Sequence, residues 1–225
     1  MNAQQVHQAT ARNLTRDVTL YAEATDLVET VAAASVACVR RSTVVRRLSE
    51  GSLPFAGRIA WLEQQWEGLR LLRDCPLVPA PVRELLVVGT RRIAVALDRA
   101  HAGARWRDRH VTMPSMLTFR RHVTGLKDQG DVLGLTAQAC VRLLCSGVGT
   151  GVTGADLSSR PVVELWDLLC SLVGDDEDLE RLSEELSAGL LMVMQHGSDV
   201  CRIYQDSTPD ESCAVTVATI RAALK

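Results

Sequence analysis

The segment Arg105-Trp-Arg-Asp-Arg-His110 sets an indole among guanidinium groups. Proteins use that combination to stack on a nucleic-acid base while neutralising phosphates. Arg105, Trp106, Arg107 and Arg109 would make the contact. Arg91, Arg92 and Arg99 upstream, and Arg120 and Arg121 downstream, would extend it into a basic groove. The competing reading is a loop between helices whose arginines pair with an acidic C-terminal part. The segment carries no motif of a known nucleic-acid reader.

Other residues are weaker candidates for chemistry. Gly149-Thr-Gly151-Val-Thr-Gly154 matches GxGxxG, with Asp175 downstream. Phosphate binding of that kind needs a strand before the loop and a helix opening within it. The stretch 135–144 before it reads as helix, and Pro161 restarts a helix too late, so a linker is expected. Nor does a Gly-Lys-Ser/Thr ending follow.

Metal donors would be His122, Cys140, Cys145, His196 and Cys201, but their spacings are not those of paired zinc ligands. Core thiols and a surface histidine account for them. Asp175-Asp-Glu-Asp178 lacks calcium-loop spacing and suits a helix start, as Arg40-Arg41 and Arg46-Arg47 suit a helix end. Glu184 and Glu185 fall on one exposed face. With no Gly-x-Ser-x-Gly, no HExxH and no cysteine in a catalytic setting, no catalytic, cofactor or metal residue is assigned.

Prolines delimit the elements that must position these side chains. Pro54, Pro114, Pro161 and Pro209 each follow a Ser or Thr closely, and Pro79 and Pro81 precede Val82-Arg-Glu-Leu-Leu86. Proline is tolerated in the first helical turn, where its missing N–H had no partner, and an upstream hydroxyl can cap the free amides. Pro76 falls in a connection. The resulting map has about seven or eight helices, at 14–48, 55–73, 81–102, 114–127, 131–145, 160–173 and 175–195, with a break at Gly197. A last helix is read at 209–224, where Thr208-Pro-Asp-Glu211 resembles a capping box. Leu14, Val18, Tyr21, Val28 and Val39 recur at helical spacing in the first, and Ile59, Leu62, Trp66 and Leu69 in the second. Trp61 lies five residues from Trp66 and off that face, which makes it the candidate exposed anchor for a partner.

Composition is globular, with 47% hydrophobic and 23% charged residues. Aromatic content of only 4% leaves aliphatic side chains and alanine to fill a helix-on-helix core. Seven scattered cysteines behind a polar start read as reduced thiols of an intracellular protein, and no apolar run is long enough for a membrane span. The near-neutral total of −2 conceals a segregation of charge. Residues 83–127 hold ten basic and three acidic side chains, a net of +7, and residues 155–213 hold three and fourteen, a net of −11.

The expected fold is an all-α multi-helix bundle, a single helical domain over 1–225 with a candidate hinge at 147–154. The expected function is non-enzymatic protein–protein interaction or self-assembly through the basic 83–127 and acidic 155–213 surfaces. The alternative is a nucleic-acid-binding structural protein such as a viral nucleocapsid or coat subunit. An enzyme with an unrecognised helical site stands third.

Overall fold

A computed structural model describes the backbone of residues 3–146, 148 and 160–205, and the side chains of 16–146, 148 and 163–205. Among these residues lie eight α-helices and no strand: α1 (Ala3–Arg41), α2 (Thr43–Ser49), α3 (Phe55–Arg73), α4 (Ala80–Ala100), α5 (Pro114–Gln129), α6 (Val132–Cys145), α7 (Arg160–Ser171) and α8 (Asp176–Ile203). One 3-10 helix, η1 (Ala104–Asp108), follows α4. The all-α bundle expected from the sequence is the fold. The GxGxxG stretch, the helix read at 209–224 and, apart from Val148, the hinge at 147–154 lie outside the described residues.

Pro54 and Pro79 occupy N-cap positions, and Pro81 and Pro114 sit in first turns, as the missing N–H predicts. The neighbouring hydroxyls do other work than capping. Ser52 donates to the Arg47 carbonyl and Thr112 to Glu67, so α3 and α5 begin without a side-chain cap. Ser42 caps α2, Asp131 caps α6 and Asp175 caps α8, each accepting a hydrogen bond from an amide three residues on. Three further acidic residues in the first turn of α8 suit its dipole, the charged helix start read for 175–178.

Three expectations need correction. The first long helix is two, divided at Ser42, whose hydroxyl caps α2. Its buried stripe is Leu20, Ala24, Val28, Ala32, Ser35 and Val39, whereas Val18 and Tyr21 are exposed. Tyr21 instead donates to Asp167 on α7 at 3.0 Å. Gly197 does not break α8. The helix runs through it, because a hydrogen there lets α2 approach: a Cβ would stand 2.6 Å from Cγ1 of Val44.

Buried apolar residues from all eight helices form one contiguous cluster. At its centre are α3 and α6, both buried nearly all round. Each packs against both α4 and α8. The basic and acidic segments meet where α5 packs on α8, through His122 with Glu185 and the Ser115 amide with Asp199. Arg47, read as a helix-end residue, reaches across to accept no charge but to cap carbonyls, donating to Cys201, Ser52 and Gln205.

Candidate functional site

The basic segment resolves into two populations, one tied down and one free. Trp106 is buried and its indole N–H donates to Asp98 of α4 at 2.8 Å. Its ring meets Trp66 of α3 edge to face, with centroids 4.8 Å apart. Arg107 grips the same Asp98 through both carboxylate oxygens, at 2.6 and 3.0 Å, and lies over the Trp106 ring. These bonds from Arg107 and Trp106 hold the Asp98 carboxyl below its ordinary pKa. Trp106 is thus withdrawn from any stacking role, and Arg107 answers Asp98 rather than a C-terminal acid.

Beneath this turn lies a buried carboxylate that sequence reasoning missed. Glu67 of α3 is completely inaccessible. It accepts from His110 at 3.1 Å, from the Thr112 hydroxyl and from Arg120 of α5. Burial pushes its pKa upward, but the bonds from His110 and Arg120 outweigh that and leave it lowered. Burial works against the charge on His110, and the bond to Glu67 outweighs it in turn, so its pKa is raised. One turn earlier on α3, buried Glu63 meets His101 at 3.0 Å. Gln64 between them holds the connection by both ends of its amide, donating to Val111 O and accepting from Met113 N. Arg120 therefore belongs to a structural latch that fixes the segment between α4 and α5.

The free population is Arg91, Arg92 and Arg99 on α4, with Arg105 and Arg109 in and after η1. All five are exposed and make no ion pair among the described residues. Arg121 on α5 is exposed as well and reaches only the Thr118 hydroxyl. Between the α4 arginines stand Val87, Val88 and Val95, which are 50%, 46% and 43% exposed. Glu84, Val88, Arg91, Val95 and Arg99 recur at the spacing of one helix face. On α8, Glu177, Glu180, Glu184 and Leu191 share an exposed face. These three glutamates make no ion pair among the described residues, and Leu191 is 63% exposed.

Trp61 is not an anchor. It is 1% exposed, on a helix buried on both faces, and packs against Gly197 of α8. Two tryptophans five residues apart are both buried because α3 is central rather than lining one wall of the core. Glu185 leaves the exposed acidic face too, bonding His122 at 2.9 Å and the Gln138 amide at 2.8 Å. His196 is a fully buried residue rather than a surface one, and Cys38 is exposed rather than packed. Among the described residues no cluster of three or more ligating side chains could hold a metal ion. No helix there is long and apolar enough to cross a membrane.

The buried polar residues had one sequence signal, Glu63-Gln-Gln65 between Trp61 and Trp66. Four charged or amide groups, counting Glu67, stand there among apolar residues facing every direction around the helix. Compared with known proteins, the chain matches no family model, and no curated protein sequence matches it.

Proposed function

We propose that this chain is a non-enzymatic assembly protein whose copies join head to tail, the valine–arginine face of α4 on one meeting the acidic face of α8 on the next. The observation that carries the reading is the free state of both faces. Arg91, Arg92 and Arg99 have no ion-pair partner among the described residues, and neither have Glu177, Glu180 and Glu184. Both α4 and α8 pack against α3 and α6, and the two faces make no ion pair with each other among the described residues. A contact between unlike faces is heterologous, and it closes into a ring or continues as a filament. Val87, Val88, Val95 and Leu191 supply the apolar part of such a contact, and the charges steer and align it.

A second reading rests on these three arginines together with Arg105 and Arg109. Arg91, Arg92, Arg99, Arg105 and Arg109 are spaced along one helix and the turn after it, which suits a track of phosphates. With Trp106 buried, this would be contact to the backbone of a nucleic acid without base stacking. Light scattering of purified protein across 50 to 500 mM salt (a range of about one decade, across which exposed charges become screened), with and without nuclease, separates the two. Nuclease-resistant particles that dissociate as salt rises favour assembly. Particles that dissolve on nuclease treatment and carry absorbance at 260 nm favour nucleic acid. A monomer in every condition would count against both.

A further inference from the structure

The connection between α4 and α5 contains a histidine whose two ring nitrogens both face acceptors. Nε2 of His110 stands 3.1 Å from a carboxylate oxygen of Glu67 on α3. Nδ1 stands 3.0 Å from the Arg107 carbonyl in η1. A carbonyl oxygen only accepts, and so does an ionised carboxylate. Glu67 is ionised, since Arg120 and the Thr112 hydroxyl also donate to it. Both nitrogens of His110 therefore carry hydrogen, and the ring is an imidazolium.

The other charged groups around this ring are engaged with one another. On α3, Glu63 meets His101 at 3.0 Å, and Arg70 lies over the Trp66 ring. On α4, Asp98 accepts from Trp106 and Arg107, and within η1 Asp108 also attracts Arg107. On α5, Arg120 donates to the second oxygen of Glu67. The rings of Trp66 and Trp106 meet His110 edge on, with centroids 5.4 and 6.3 Å away. The His110 side chain is 11% exposed, so its proton can exchange with water. Burial works against the charge, and the bond to Glu67, helped by the charge of Glu63, outweighs it and raises the pKa above 6.5.

We propose that His110 is a proton-operated latch: the charged ring fastens the end of the η1 turn to α3, and loss of one proton lets residues 108–110 swing away. A neutral imidazole keeps one N–H. If that hydrogen serves Glu67, the Nδ1 lone pair faces the Arg107 carbonyl. If it serves the carbonyl, the Nε2 lone pair faces the carboxylate. Either choice sets two electron-rich atoms against each other at 3.0 or 3.1 Å. Turning the ring outward relieves the repulsion and undoes the tie to α3. The chain stays anchored on both sides, Trp106 and Arg107 by Asp98, and Val111, Thr112 and Met113 by Gln64 and Glu67, so the opening is local. Arg109, one of the exposed arginines of the basic segment, moves with the turn. The latch stands whatever that segment binds.

The test is hydrogen–deuterium exchange of the full chain, followed at the amides of Arg109 and His110. Both donate to the Trp106 carbonyl, at 3.0 and 2.8 Å, so they exchange when the turn opens. After division by the intrinsic exchange rate, their opening constant should be lowest below pH 6.5, climb by up to about tenfold per pH unit above it, and level off past the raised pKa. Amides of α6, at the centre of the core, should exchange more slowly at every pH. H110Q, whose amide neither gains nor loses a proton, should open the turn to the same extent at every pH. H101Q retains His110 and should keep the parental climb, which decides the matter if H110Q fails to fold. A flat opening constant in the parent from about pH 6 to 8.5 would overturn the latch. So would exchange of the turn and of α6 at one common rate, a climb that persists in H110Q, or one lost in H101Q.

Discussion

Glu67 is inaccessible to solvent, and its carboxylate is met by His110, Thr112 and Arg120. Replacing Glu67 by Gln leaves two cationic partners facing a neutral amide and should destabilise the fold by about 3–5 kcal/mol. A fall in the urea midpoint at unchanged slope would register it. The histidine–carboxylate pairs also fix the sign of the pH dependence. The pKa of His110 is raised from 6.5, because Glu67 overcomes its burial, and that of His122 is raised first by its bond to Glu185. Their contribution is complete below that ordinary value and fades as pH climbs through the raised one. Glu67 and Glu185 are lowered from 4.5, because their bonds outweigh burial, so their contribution holds above that value and fades as pH falls through the lowered one. Melting temperature should therefore peak between about 4.5 and 6.5 and decline on both sides. A flat profile from pH 6 to 8.5 would mean that these pairs do not stabilise the fold.

At the scale of elements, the crossing of α8 over α2 and α3 rests on Gly197. Gly197→Ala sets a methyl against Val44 and should cost about 1–3 kcal/mol, part of which V44A in the same chain should recover. Measuring all three variants by denaturant unfolding closes that cycle. Val28 and Leu69, 1% and 0% exposed, lie on stripes that the sequence revealed, and an aspartate at either would bury an unpaired charge. Val28→Asp and Leu69→Asp should each lower Tm strongly, and parental melting of both would refute those faces. Helix positions were readable because prolines mark helix starts by a local rule. What stayed hidden was tertiary. Ser52 and Thr112 look like caps in sequence, yet Arg47 O and Glu67 claim their hydroxyls from other turns or helices. Trp61 looks exposed only if α3 has one buried face, and nothing local to α3 says that helices surround it. The same blindness hid Glu67, whose partners stand 43 to 53 positions away.

For the molecule as a whole, the segregation of charge was legible from counting alone, and the structure adds where the charges go. Of the nine residues read as a basic contact surface, Trp106 and Arg107 are bound to Asp98 and Arg120 to Glu67. The remaining six are exposed. The arginines of α4 and the glutamates of α8 make no ion pair among the described residues, and reversing charge on one face should block the proposed assembly without unfolding the chain. The most direct measurement is light scattering on two charge-reversed proteins, R91E/R92E/R99E and E177R/E180R/E184R, alone and mixed. Head-to-tail assembly predicts that each has an altered face and an intact one of like sign, so neither associates alone at low salt. It further predicts that mixing restores assembly with the two proteins alternating, because the reversed α4 of the first meets the reversed α8 of the second and the intact α4 of the second meets the intact α8 of the first. Association of either variant alone at the parental level, or no complex on mixing, would contradict it.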